Sequence, residues 1–201
     1  MLDRLDLSQS LGKEKAHEYL LPLNREWRDL QQSLKEVQRP VIIVFEGIQA
    51  AGKGDSIRQV VAPLDPRGFK VHLTRLVQTE EERLHPSLWR HWLKLPGKGD
   101  VGIFDTAWYM PSIAERVHGI LEKEAWSERK EEIKQFERQL VDDGAILIKF
   151  WLHISKKEQR QRYQKMETSK YEGWRVSKED WEANKQYDTY VRYIDEILVE
   201  T

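Results

Sequence analysis

The 201-residue chain contains no cysteine. That excludes disulfides, thiolate metal sites and thiol nucleophiles, and it is compatible with a reducing compartment. Charge of one sign is also missing: 33 Lys and Arg face 34 Asp and Glu, for a formal net charge of -1. No whole-molecule field therefore draws the chain to nucleic acid or to a membrane surface. No run approaches the ~18 apolar residues of a membrane span, and Met1-Leu2-Asp3-Arg4-Leu5-Asp6 is too acidic for a signal peptide. The expectation is a soluble, cytoplasmic protein with neither a nucleic-acid nor a membrane partner. His17, His72, His85, His91, His118 and His153 lack metal-binding spacing and read as structural.

What the chain does have is periodicity. Leu20, Leu23, Trp27, Leu30, Leu34 and Val37 step by three and four, as on one stripe of a helix. The stripe either packs on the chain's own core or forms an exposed seam for a second subunit, being too short for a free coiled coil. Pro22 is expected in the first turn or just before it, and Pro40 ends the helix. Beyond it, apolar runs at Val41–Phe45, Phe69–Leu76, Val101–Phe104 and Ala145–Leu152 alternate with helical stretches. This is the pattern of a parallel sheet with crossover helices. Thr79 to Leu95 reads as a helix opened by a capping box, with Pro86 as a kink or a later start. Ser112 to Val141 reads as a long helical region broken near Trp126-Ser127, with Gly144 as a left-handed cap. Two further helices start at Ser155 and Ser177. The expected organisation is an N-terminal helical segment (1–40), an α/β core (41–154) and a helical C-terminal segment (155–201), one domain overall. Trp89-Arg90-His91-Trp92-Leu93-Lys94 interleaves aromatics and cations as single-strand nucleic-acid sites do. At helical spacing, however, its tryptophans read as core.

Val41-Ile42-Ile43-Val44-Phe45 runs into Gly47-Ile48-Gln49-Ala50-Ala51-Gly52-Lys53-Gly54, and a helix follows from Asp55. Strand, glycine loop and helix are the context that a Walker A motif requires. Glycine lets backbone N–H groups close around phosphate oxygens, and the helix N-terminus adds partial positive charge. Lys53 would reach the transferred phosphoryl group. The position after it, normally Ser or Thr, is Gly54, and the nearest hydroxyl is Ser56. Val101-Gly102-Ile103-Phe104-Asp105 delivers a carboxylate to the carboxyl edge of the sheet, where open parallel sheets bind ligands. Asp105 there orients magnesium-bound water or, alternatively, caps a helix. Arg67, in the turn Asp65-Pro66-Arg67-Gly68, reads as a phosphate contact or only a solvated corner. Lys156, Lys157, Arg160, Arg162 and Lys165 crowd one helix, with Lys170, Arg175 and Lys178 beyond. They form either a solvated face or the lid of a phosphoryl-transfer site. The expected fold is thus α/β, a P-loop NTPase-like parallel sheet flanked by helices, with a helical lid near the C-terminus.

These residues resemble the polyphosphate kinase 2 family of P-loop phosphotransferases from Val41 to about Tyr193. The resemblance rests on Phe45-Glu46-Gly47 leading to Ala50-Ala51-Gly52-Lys53-Gly54, on Leu64-Asp65-Pro66-Arg67-Gly68, and on Phe104-Asp105 with Trp108-Tyr109. It continues in Glu115-Arg116-Val117, Lys149 to Lys156, Trp174-Arg175-Val176-Ser177 and Asp180-Trp181. Gly54 after the lysine is normal in that family. The resemblance implies phosphoryl transfer between inorganic polyphosphate and a nucleotide, AMP foremost, with magnesium. It makes Lys53 and Asp105 the catalytic pair, with Asp105 also the metal ligand. Gly47, Ala50, Ala51, Gly52, Gly54 and Asp55 cradle phosphate, and Arg67, Arg116, Arg160 and Arg162 are further phosphate contacts. Two positions depart from the family pattern: Gln49 stands where competent members have Asp, and Thr106 where they have Arg. The sequence also stops at Thr201, short of the family's final strand. That looks like the N-terminal half of tandem-domain polyphosphate:AMP phosphotransferases, with a second copy of the chain or a second P-loop domain as partner. An ATP-using nucleoside monophosphate kinase is the close relative to exclude. A non-catalytic domain that binds polyphosphate or supports a catalytic partner is the alternative from another class.

Overall fold

The computed structural model describes the backbone of residues 1–201 and every side chain except that of Asp3. Four parallel strands form one sheet in the order β2-β3-β1-β4: β1 (Val41–Gly47), β2 (Phe69–Leu73), β3 (Val101–Asp105) and β4 (Ile146–Leu152). β1 is buried along its whole length, as a central strand covered on both faces must be. Alternation divides its side chains between two layers. Val41, Ile43 and Phe45 pack toward α1 (Lys13–Val37) and α2 (Lys53–Val61). Ile42 and Val44 pack toward α5 (Tyr109–Val117), α6 (Lys123–Asp142) and α9 (Tyr187–Glu200). The register pairs Phe45 with Asp105, Leu73 with Asp105 and Gly47 with Leu152, so all four strands end at one edge. Among the described residues no helix is long and apolar enough to cross a membrane.

Several boundaries differ from the sequence reading, each for a local reason. The first helix starts at Lys13, so Pro22 lies inside it rather than near its start. In α1 only Leu34 of the expected stripe is buried, while Leu23, Leu30 and Val37 remain 56%, 57% and 56% exposed. The stripe is split lengthwise: Leu20, Trp27 and Leu34 form its half-buried to buried edge, and Leu23, Leu30 and Val37 its outer one. Polar Gln31 takes the buried place, accepting from the Asp65 N–H at 2.8 Å and donating to its carbonyl at 3.0 Å. Between Thr79 and Leu95 the chain forms two short helices, α3 (Glu80–Arg83) and α4 (Trp89–Trp92), rather than one, because Pro86 ends the first pattern. The capping box of Thr79 and Glu82 is present. The break in the next helical region falls between Val117 and Lys123, at Gly119 with φ +71°, and not at Trp126-Ser127. β2 ends at Leu73 instead of Leu76.

The C-terminal segment contains α7 (Lys156–Thr168), α8 (Lys178–Lys185) and α9, one helix more than expected, since Gln186 separates the last two. Ser155 caps α7 by accepting the Glu158 N–H, and Ser177 forms a capping box with Asp180. Ser155→Ala is expected to cost about 1 kcal/mol, checked by denaturant midpoint at unchanged m-value.

Candidate active site

The carboxyl edge of the sheet is shaped first by the loop after β1. Gly47 has φ +130°, and a Cβ there would lie 2.1 Å from the Leu152 carbonyl oxygen. Only glycine lets β1 and β4 approach so closely at that point. Ala50 (φ +63°) and Gly52 (φ +105°) also take left-handed conformations. Such a succession beside a helix start is the kind of backbone in which N–H groups can converge on an anion. The Ala51 N–H is already spent on the Ile48 carbonyl at 3.2 Å, whereas Gly54 stands in open space at the mouth.

Lys53 folds back over this loop. Its Nζ donates to the Gly47 carbonyl at 3.0 Å and the Ile48 carbonyl at 3.5 Å. Burial lowers its pKa, while Asp105 and Glu46 pull in the opposite direction. Burial likewise raises Asp105, and Lys53 opposes that shift. These two oppositely charged groups thus stabilise one another in a half-dry setting, where charge interactions exceed those in water.

Lys53 and Asp105 share a cleft of about 590 Å³ with Gln49, Ala50, Gly52, Gly54, Asp55, Thr106 and the α7 side chains Arg162 and Lys165. Arg162 Nη1 donates to the Ala50 carbonyl at 3.0 Å, and its Nε to Glu158 at 2.7 Å. Arg175, after α7, also lines the cleft and pairs with Glu172 at 3.1 Å. Asp55 stands at the mouth, its side chain 80% exposed and paired with Arg58.

Three of the expected arginines are not brought to this cleft. Arg67 precedes β2 and so lies at the opposite, amino edge of the sheet, 87% exposed and bonded to Asp65. Arg116 donates to the Leu121 carbonyl at 2.8 Å and lies over the Tyr193 ring, anchoring the α5–α6 turn. Arg160 is exposed on α7, since residues 159, 162 and 166 form the face toward the glycine loop. Gln159 on that face donates to the Gln49 carbonyl at 3.0 Å. Lys165 and Arg175 were legible only as part of a basic run, Glu46 only as part of a motif, and Gln159 not at all.

A second cavity of about 280 Å³ adjoins the first, lined by Ile48, Thr74, Met110, His118, Tyr187 and Tyr190 among others. Gln49, Lys53, Leu73 and Thr106 line both spaces. One side of this shared wall is rich in cations; the other is largely apolar and aromatic. The acid set suits magnesium carried in with phosphate, which typically takes one or two carboxylates and completes its shell with water and phosphate oxygens. Asp105 supplies such a carboxylate, and Gln49 only a neutral amide. No group of three or more His, Cys, Asp or Glu able to hold a metal by itself occurs among the described residues.

The sequence pattern of the family Polyphosphate kinase 2 (PPK2) matches residues 10–201. A Polyphosphate:AMP phosphotransferase of Pseudomonas aeruginosa is 36% identical over 201 residues, covering 100% of this chain and 40% of the relative. The chain therefore spans well under half of that relative's length. An AMP/ADP-polyphosphate phosphotransferase of Meiothermus ruber is 36% identical over 191 residues, covering 94% of this chain and 71% of the relative. The crystal structure of Polyphosphate Kinase 2 from Arthrobacter aurescens superposes with a TM-score of 0.94 at 26% identity, covering 100% of this chain and 74% of that one.

Proposed function

Because the chain belongs to the polyphosphate kinase 2 family, we propose that it transfers the terminal phosphoryl group of inorganic polyphosphate to AMP, with magnesium. An oxygen of the AMP phosphate forms the new bond to phosphorus as the bridging P–O bond breaks, giving ADP and a chain one phosphate shorter. The observation that carries this reading is the wall shared by two chemically different cavities. The cation-rich cleft suits a polyanionic donor, and the cavity with Tyr187, Tyr190 and His118 suits a nucleoside. The phosphoryl group would then cross at Lys53.

Each residue has a task in that scheme. Lys53 holds the transferring oxygens, the α2 N-terminus and loop amides surround the neighbouring phosphate, and Arg162, Lys165 and Arg175 neutralise the rest of the chain. Asp105 would hold magnesium, which supplies charge neutralisation between phosphates when bound. Helices α7 and α8 would act as a lid over this edge, and its closure would exclude water and strengthen these contacts.

The test is ADP formation by the purified chain from polyphosphate and AMP in the absence of ATP. ADP should accumulate as the polyphosphate shortens, and the rate at subsaturating polyphosphate should fall as salt rises, because the contacts are ionic. Formation of ADP with ATP as the sole effective donor would overturn the reading. Gln49 and Thr106 on the shared wall favour a second reading, in which the domain binds polyphosphate without turnover and serves a catalytic partner. Salt-sensitive polyphosphate binding with no ADP distinguishes that case.

A further inference from the structure

Glu46 is the penultimate residue of β1 and is 1% exposed, inside a strand whose other side chains are all apolar. A carboxylate in such a place is costly unless its oxygens meet donors. Its Oε1 accepts two backbone N–H groups from another segment, that of Ala107 at 2.9 Å and that of Tyr109 at 3.0 Å. The backbone of the preceding residue continues the clamp, with the Phe45 carbonyl accepting the Thr106 N–H at 2.9 Å. Three of the four amides that follow Asp105 are therefore held by two consecutive residues of β1.

The side chains of Trp108 and Tyr109 anchor the held segment on Glu137, but the backbone amides of Ala107 and Tyr109 have no partner among the described residues other than Glu46. Thr106 sits at φ +61°, unfavourable for a β-branched residue unless its surroundings enforce it. Helix α5 begins immediately afterwards, with no side-chain cap from Trp108 and no acidic residue in its first turn. Glu46 Oε1 supplies from across the sheet the acceptor that such a helix start otherwise takes from its own sequence, while burial raises the carboxyl pKa to about 7 and Oε2 has no partner among the described residues. The same strand runs on into the glycine loop at Gly47, and the Glu46 charge also acts on Lys53.

We infer that Glu46 is a positioning residue: acting as a remote cap on the β3–α5 connection, it fixes where Asp105 and Thr106 stand relative to Lys53. It touches neither substrate in this role. The inference deepens the transferase reading and relies on it for its kinetic consequence only. Glutamine retains an Oε1 that can accept both N–H groups; alanine does not.

The test compares the parent chain with Glu46→Gln and Glu46→Ala by amide hydrogen exchange and steady-state kinetics. Protection of the Ile43 amide certifies that each variant is folded. In Glu46→Ala the Ala107 and Tyr109 amides are expected to exchange at least ~100-fold faster while Ile43 is unchanged. The kcat is expected to fall ~10-fold or more, with KM for polyphosphate within about twofold. Glu46→Gln is expected to restore both protection and most of kcat. A merely structural role lowers melting temperature without splitting kcat from KM. Unchanged exchange at Ala107 and Tyr109 in folded Glu46→Ala overturns the inference, as does lost protection with unchanged kcat. If the parent chain makes no ADP, the transferase reading fails separately, and the exchange pattern alone decides the role of Glu46.

Discussion

Lys53→Ala is expected to lower ADP formation from polyphosphate and AMP by ~10²- to 10³-fold, a loss comparable to removing a preorganised donor from a transition-state site. The argument starts from desolvation. The Lys53 ammonium is buried deeply enough to depress its pKa, and its hydrogen bonds go to two carbonyls, those of Gly47 and Ile48. Carbonyls hold the side chain in place without neutralising it, so its charge remains for phosphate oxygens. Asp105 and Glu46 counterbalance it from the protein side. Alanine removes this charge where water cannot replace it. The other cations calibrate the result. Arg162→Ala is expected to lose ~10-fold, because that guanidinium touches the loop at Ala50. Arg160→Ala and Arg67→Ala should stay within twofold, since one faces solvent and the other lies at the opposite edge of the sheet. Initial rates for the four variants at saturating substrates make the comparison. Retention of Lys53→Ala activity within threefold would remove the cleft from the mechanism.

That ranking of cations marks where sequence stops being informative. The strand, glycine loop and helix were legible because each requirement is local: an apolar run, glycines where φ is positive, and a lysine at the helix start. Asp105 was legible because a parallel strand carries its last residue to the ligand edge. Arg67 and Arg116 belong to motifs as recognisable as these, yet a motif does not state which end of the sheet its residues reach. Asp65 and Leu121 hold the two arginines elsewhere. Arg160 and Arg162 were separable in principle, since two residues on a helix differ by about 200° and only one could face the loop. The α1 stripe left both a core-facing and an exposed reading open, and the structure divides it between them, with Leu20, Trp27 and Leu34 inward, Leu23, Leu30 and Val37 outward, and a further buried position held by a hydrogen-bonded glutamine. Glu46 was hidden for the complementary reason. Its partners are backbone amides of a segment some sixty residues away, and backbone partners leave no signature in residue identity.

Gln49→Asp with Thr106→Arg is expected to raise polyphosphate-to-AMP transfer at least ~10-fold over the parent, and by more than the product of the two single gains. Both side chains line the wall common to the two cavities, so both changes act where the phosphoryl group would cross. The Gln49 backbone is held independently of its side chain, through its carbonyl and Gln159, so aspartate can replace it without disturbing the loop. The new carboxylate adds a second anionic ligand beside Asp105 for magnesium. Alone it also adds charge that repels phosphate, and its gain should be small. Arginine at 106 supplies the compensating cation in a fork that matches phosphate oxygens. It also removes β-branching from a residue at φ +61°, a gain set against the bulk and charge of arginine at a position only 8% exposed. The two effects need one another because metal, phosphate and both side chains form a single charge balance, and such units are not additive. Initial rates of the parent, both single variants and the double variant give the coupling directly. A parent that is already fast, with a double variant no faster, would show that Gln49 and Thr106 are not losses. In that case the missing charge must come from α7 and the segment after it, where Lys165 and Arg175 line the cleft.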